Sequence, residues 1–316
     1  MLSRYRKAIC HLLEQLQLLR EDRYDRWPLC YSLQEELIRH VRYVEKQIRA
    51  LKRQSCDNLS EESRADLYRR IQSYREILFL LRSVGDGIAF IYIDRWNIKA
   101  LAFNGSPGFI SGKDGFENEW AFLQQVRTLG VPALLADLTH CLTYGDLYIF
   151  KESRSPIIVE VKGDSRGGRD RRQMRGLRRV ADYLNTGRME NYRSSGSAVV
   201  RIEPHAPAHF HEDTFNIAVS RAMSAGRAIV EVEPGVTYIV QRFPHFDPRD
   251  VETVGQRYHR PLVYLLNDTK FLSEAYYPFV LSWRDSKALF EFYTGGLVAA
   301  IVIDLDSVIA CFARKG

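Results

Sequence analysis

The first 82 residues contain no glycine and a single proline, Pro28, and this near-absence of helix breakers constrains the chain more than any other feature. Leu12, Leu13, Leu16 and Leu19 recur at helical spacing. So do Leu37, Val41, Val44, Ile48 and Leu51, and then Ile71, Tyr74, Ile77, Leu78 and Leu81. Ser60 followed by Glu61 and Glu62 marks the start of a third helix, because a hydroxyl cap and first-turn acids both suit a helix N-terminus. The expectation is a helical module, coiled coil or bundle, over residues 1–82, with a break near 23–28. Such a module serves as an accessory layer or as a surface for a homo-oligomer or partner protein. It carries 17 basic against 12 acidic residues, so a nucleic-acid-gripping arm is the sharper reading.

The texture changes at Val84-Gly85-Asp86-Gly87. IAFIYI and KALAF read as strands, and SPGFISGKDG as a loop. FENEWAFLQQVRTLG reads as a helix closed by Gly130. VPALLADL, DLYIF and IIVEVKG read as strands, the last two joined by a tight polar turn. DRRQMRGLRRVADYLNTG is then a helix and SAVVRIE a strand. TFNIAVSRAMSAG is a helix, and RAIVEVE with VTYIVQR is a hairpin around Pro234-Gly235. A short helix near 285–293 and the strand LVAAIVID complete the chain. The predicted division is 1–82, 83–241 and 242–316, the last an α/β extension packing on the core. The five cysteines are scattered and odd in number, which argues against a disulfide scaffold or a cysteine-built zinc site. The longest apolar run covers 297–303, far short of the ~20 residues a membrane helix needs. The expectation is a cytoplasmic protein without a membrane partner.

Gly145-Asp146, thirteen further residues and then Glu160-Val161-Lys162 form the densest chemical signal. Period-2 alternation puts Glu160 and Lys162 on one face of a strand, and the hairpin brings Asp146 to the same end. Two carboxylates make a hard oxygen site suited to Mg²⁺ or Mn²⁺. A lysine beside them can orient a metal-bound water or neutralise a scissile phosphate. Acid-x-lysine on an exposed strand is more often a plain ion pair. Here the strand is apolar, and buried charge is costly unless it is paired or metal-bound.

In these motifs, over residues 112–203, the chain resembles the PD-(D/E)XK nuclease superfamily. The resemblance implies a restriction-endonuclease-like α/β core, a mixed sheet flanked by helices: a helix, a three-stranded meander, a second helix and a further strand, SAVVRIE. It implies a Mg²⁺- or Mn²⁺-dependent endonuclease, a hydrolase acting on nucleic acid, DNA foremost, and family habit extends this to phage defence or restriction. Asp146 and Glu160 resemble the metal ligands and Lys162 the catalytic lysine. Many members add a glutamate from the first helix; Glu117 and Glu119 are the candidates, and Glu119 is favoured because it shares a face with Phe122, Leu123 and Val126. Gln173 resembles the glutamine some branches carry on the second helix. The family's first motif often reads Pro-Asp, and here Gly145 replaces the proline.

The formal charge of +6 is unevenly spread: residues 162–188 alone carry eight Arg and one Lys against three Asp. Arg166, Arg169, Arg171, Arg172, Arg175, Arg178 and Arg179 are therefore candidate phosphate contacts, supplying affinity without sequence information. A solvated basic face is the blander reading of the same residues, as is a non-catalytic nucleic-acid-binding module or a helical scaffold protein for the whole chain. His205, His209 and His211 with Glu212 and Asp213 could bind Zn²⁺ but read better as a loop cluster. SPGFISGKDG lacks P-loop spacing, although Ser111 and Lys113 could touch phosphate beside Glu119. Cys141 reads as a core cysteine, and Asp304 with Asp306 as a strand-end acidic pair.

Overall fold

The computed structural model describes residues 2–54, 60–102, 108–152, 155–161, 169–190, 198–202, 211–271 and 277–315. The chain is mixed α/β with antiparallel sheets, and it divides into two compact units. One is Met1–His205 with Glu274–Leu281; the other is Ala206–Ser273 with Ser282–Gly316.

The first unit begins with three long helices, α1 (Leu2–Glu21), α2 (Trp27–Lys52) and α3 (Glu61–Tyr92). Pro28 lies in the first turn of α2, where its missing N–H costs nothing, and Ser60 caps α3 by accepting from Ser63 N. The leucine stripes close on each other: Leu12, Leu16, Leu37, Val41, Ile48, Ile77 and Leu81 are fully buried or nearly so. Each such side chain contributes about 1.5–3 kcal/mol of transfer free energy.

The strand readings of IAFIYI and KALAF are overturned. Residues 88–92 are the end of α3, and Lys99, Ala100 and Leu101 lie in α4 (Arg95–Leu101), while Phe103 lies outside the described residues. Every residue from Leu80 to Tyr92 is buried, so the end of α3 is apolar all round and lacks the one-sided period that identifies a helix from sequence. The glycines there serve close packing. A Cβ on Gly85 would overlap the Leu138 carbonyl, and one on Gly87 would meet Leu16. Thus α3 passes through the boundary expected after residue 82.

Next come α5 (Phe116–Thr128), β1 (Ala133–Leu135), β2 (Leu147–Ile149), β3 (Ile157–Val159) and α6 (Arg169–Thr186). The three strands form an antiparallel sheet in the order β1-β2-β3. The strand expected from VPALLADL ends at Leu135 and turns into a 3-10 segment, Ala136–Leu138. SAVVRIE is reduced to β5 (Val199–Val200). It pairs with β4 (Arg188–Met189) as a separate two-stranded ribbon and does not extend the meander.

The edge of β1 is held by α2. Gln34 Nε2 donates to Ala133 O (2.8 Å), and Gln34 Oε1 accepts from Leu135 N (3.0 Å). Tyr31 Oη donates to Val131 O at 2.6 Å, and Cys30 Sγ lies 3.4 Å from Ala133 O. A wholly buried glutamine thereby does the work of a fourth strand.

The second unit contains α7 (Glu212–Ala225), β6 (Arg227–Glu233), β7 (Val236–Arg242), α8 (Arg249–Gly255), β8 (Pro261–Leu265), α9 (Leu266–Thr269), α11 (Ser286–Thr294), β9 (Leu297–Asp304) and α12 (Leu305–Lys315); α10 (Phe279–Ser282) precedes α11 in the chain. The sheet order is β6-β7-β9-β8, all antiparallel. The β6–β7 hairpin, expected to belong with the preceding core, pairs instead with the C-terminal strand β9. Ile239, Val254, Ala300 and Val302 form a core under α8. Asp304 caps α12 by accepting from Ser307 N (3.3 Å), and it also accepts from Ser307 Oγ (2.6 Å) and Arg260 N, which accounts for this strand-end acid. Among the described residues, no helix is long and apolar enough to cross a membrane.

Candidate functional site

Three carboxylates from three elements of the first unit converge on one ammonium. Lys113 Nζ lies 2.7 Å from Asp137 Oδ2, 2.9 Å from Glu119 Oε1 and 3.6 Å from Asp146 Oδ1. Lys113 sits in the loop before α5, between Gly112 and Gly115, both at positive φ. Glu119 lies in the first turn and a half of α5 and is 4% exposed. Asp137 occupies the 3-10 turn after β1, and Asp146 immediately precedes β2.

The loop that delivers Lys113 is pinned by a buried acid on α2. Glu45, wholly buried, accepts from Ile110 N (3.1 Å) and Ser111 N (2.7 Å) and pairs with Arg82 at 3.4 Å. Arg82 Nη2 also donates to Gly108 O at 2.5 Å, and Arg49 donates to Ser111 O. Burial pulls the Arg82 guanidinium down from its ordinary range, while Glu45, Asp137 and Asp86 pull it back. Asp86, on α3, fixes the segment after Asp137. Its Oδ1 accepts from His140 N and Cys141 N, and its Oδ2 lies 2.7 Å from His140 Nδ1.

Asp146 is placed by backbone. Its N donates to Val159 O (2.8 Å), its carbonyl accepts from Ala136 N (2.9 Å), and its Oδ2 accepts from Val161 N (2.9 Å). Asp146 therefore holds both chain neighbours of Glu160, which brings the two acids to the same end of the hairpin. Gly145 has φ +72, and a Cβ there would collide with Ile158. Proline cannot adopt that φ, so the Gly-for-Pro departure is a backbone requirement of this chain.

The electrostatics are strained in one direction. Burial raises the Glu119 carboxyl from 4.5 to about 7, helped by Asp146 and Asp137 and opposed by the Lys113 hydrogen bond. Burial works against the Lys113 ammonium too, but Asp137 and Glu119 outweigh it and hold it above its ordinary range. The cluster has an excess of negative charge that one lysine does not cancel.

Beside the cluster, a groove of about 770 Å³ runs between β3 and α6. Glu160, Lys151 and Arg178 line it together with Ile158, Met174 and Leu177. Arg175, Arg178 and Arg179 are exposed on α6.

Of the residues expected from sequence, Glu119 and Asp146 meet at Lys113, and Glu160 lies at the hairpin end and in the groove. Glu117 points elsewhere: it is paired with Arg42 at 2.8 Å on the surface, whereas Glu119 joins Lys113. Lys162, Arg166, His205 and His209 lie outside the described residues. Arg169, Arg171, Arg172 and Gln173 fall in the α6 backbone, with side chains outside the described set. His211 precedes α7 and lies 3.6 Å from Glu233. Sequence reasoning missed Asp137, Glu45, Asp86 and Arg82. The available signal was an acid interrupting an apolar run, as in ALLADL. No family model, curated protein or solved structure matches the chain.

Proposed function

We propose that the chain is a metal-dependent nuclease that hydrolyses phosphodiester bonds in nucleic acid, DNA foremost. The observation that carries this reading is the convergence of Glu119, Asp137 and Asp146 on a single cationic position, with Glu160 at the adjoining hairpin end. The order α5, three-stranded meander, α6 supports it, being the order the resemblance leads one to expect.

The donor set fits a hard divalent cation: it is all carboxylate, anionic in excess and partly desolvated. Among the described residues, no three acids, histidines or cysteines form a ready metal cage, and the acids instead surround Lys113. Asp146, Glu119 and Glu160, with Asp137, would hold Mg²⁺ or Mn²⁺ as Lys113 moves off the cluster. When bound, such an ion supplies Lewis-acid stabilisation of phosphoryl charge and a more acidic water. The side chains have their own tasks. Lys113, once displaced from the acids, would offer its ammonium to a phosphate oxygen. Arg178 in the groove, with the exposed Arg175 and Arg179 of the same helix, would hold the backbone, and the Val161 amide keeps Asp146 in place.

One observation favours a second reading. Lys113 already occupies the position between the acids, as it would in a nucleic-acid-binding module that does not cut. Purified protein incubated with single- and double-stranded DNA and RNA, with Mg²⁺ or Mn²⁺, separates the two. The nuclease reading expects metal-dependent cleavage that is lost in Asp146→Asn and Glu119→Gln. Steeply salt-dependent binding without cleavage would select the binding module. Cleavage that persists in Asp146→Asn would remove the site assignment.

A further inference from the structure

We infer, resting on the metal-dependent reading above, that Lys113 is the resident cation of the carboxylate site and that a divalent cation enters by displacing it, while the base of its loop stays clamped. The three acids are set on fixed elements. Glu119 is in α5, Asp137 is in the 3-10 turn after β1, and Asp146 is bound at its N, its carbonyl and its Oδ2. The lysine comes from a loop and is more open to solvent than any of them. Its side chain is 30% exposed, against 5%, 16% and 20% for Glu119, Asp146 and Asp137. Its release therefore opens toward solvent and not through the core.

The loop divides into a fixed base and a looser arm. At the base, Ile110 N and Ser111 N donate to the buried Glu45, Arg49 donates to Ser111 O, and Ser111 Oγ donates to Arg42 O (3.3 Å). At the far end Phe116 is buried where α5 begins. Between them Gly112, Asp114 and Gly115 are exposed. The backbone bonds of Lys113 are long, 3.3 Å from its N to Ile110 O and 3.4 Å from Phe116 N to its carbonyl. Gly112 and Gly115, at φ +74 and +92, flank the lysine and give the arm places to turn. One ammonium among three carboxylates leaves the site short of positive charge, which a divalent cation supplies. While Lys113 stays, a metal binds only the fraction of molecules in which the lysine is out, and its affinity falls by that fraction.

A short pulse of acetic anhydride on the full chain, with and without saturating Mn²⁺, tests this without any variant, the acylation of Lys113 being read by peptide mass spectrometry. Lys46, exposed on α2, is the reference. An ammonium enclosed by carboxylates acylates slowly. Lys113 should therefore lag Lys46 without metal and label about tenfold faster with it, Lys46 being unchanged. Mn²⁺ affinity, read from the electron paramagnetic resonance of the free ion, should tighten by about tenfold or more in Lys113→Met. It should return toward the wild-type value in Lys113→Arg and be lost in Asp146→Asn. Mn²⁺ that binds the wild type without changing the labelling of Lys113, or that binds Lys113→Met no more tightly, overturns the inference and leaves the metal site standing. Binding by neither the wild type nor Lys113→Met, or binding that survives Asp146→Asn, overturns the metal-dependent reading itself.

Discussion

The strands of the first unit's main sheet are three residues each, whereas those of the second unit's sheet run five to eight. The long strands carry their own ladders, and their middle is sealed by aliphatic contacts around Ile239, Ala300 and Val302. The short strands have few ladder bonds to give. Side chains secure them instead: Gln34 on the open edge of β1, Asp146 across the β2–β3 end, and Glu45 under the loop beside them. Held in this way, the ends of the sheet and of α5 leave three carboxylates in one small volume. The difference predicts opposite sensitivities: the first sheet should fail when a polar group is removed, and the second when a methylene is.

Glu45→Ala tests the first half most severely. It strands Arg82 in a buried site and frees the Ile110 and Ser111 amides. Breaking a buried ion pair in this way should cost about 3–5 kcal/mol in denaturant unfolding. Amides of the 108–115 loop should exchange faster before any in β7 or β9. A cost of about 1 kcal/mol or less, as for an exposed pair, would show that the loop does not depend on the clamp.

The pH dependence comes next. The Glu119 carboxyl, lifted from 4.5 to about 7, holds its proton more tightly in the folded than in the unfolded chain. Its contribution to stability is therefore full below pH 4.5 and is lost as pH rises through 7. Glu119→Gln stays neutral throughout. Relative to this variant, the wild type should lose on the order of 2–3 kcal/mol between pH 5 and 8, read from denaturant midpoints at each pH. A difference that does not vary with pH would mean Lys113 fully compensates the charge. On the proposed metal-dependent reading Mn²⁺ would compete with that proton, so its addition should flatten the wild-type curve more than that of Glu119→Gln.

Legibility followed the same division. The leucine stripes of α1 and α2, the β6–β7 hairpin and β9 show plain periods, and the structure has them. The end of α3 was misread because burial on all sides erases the helical period and because Gly85 and Gly87 resemble turn residues. At the site, Asp146 stood out in the Gly-Asp and Glu-Val-Lys pattern, and Glu119 came from the resemblance, preferred over Glu117 for the face it shares with Leu123 and Val126. Asp137 was hidden in what reads as one strand, VPALLADL, until the turn after Leu135 is seen. The clamps Glu45, Asp86 and Gln34 sit on helices where polar residues are ordinary. Only the tertiary fold, which buries them against loops and a strand edge, reveals what they do.

Gln34→Leu keeps the volume on α2 but leaves Leu135 N without its side-chain partner in a dry site, and Ala133 O with only the weak Cys30 thiol donor. An unmet buried polar group costs about 1–3 kcal/mol. The loss should appear as faster exchange in β1 and β2, with β7 and β9 unaffected. Equal loosening of both sheets would mean that the two are not held by separate means.

Ile239→Val is the counterpart in the long-stranded sheet and carries the smallest expected effect. Ile239 is 2% exposed and packs with Val254, Ala300 and Val302, and its backbone remains paired with Ile229 and Ala300 whichever aliphatic side chain it carries. Removing one methylene changes no hydrogen bond, so only transfer and cavity terms remain, about 0.5–1.5 kcal/mol. That loss should fall on the amides of β7 and β9 and leave the β1–β3 amides at their wild-type rates. A polar substitution of the same size at this position would confound the comparison by adding an unmet group. Valine isolates packing, and a null effect would show that the second sheet, too, depends on something other than its aliphatic core.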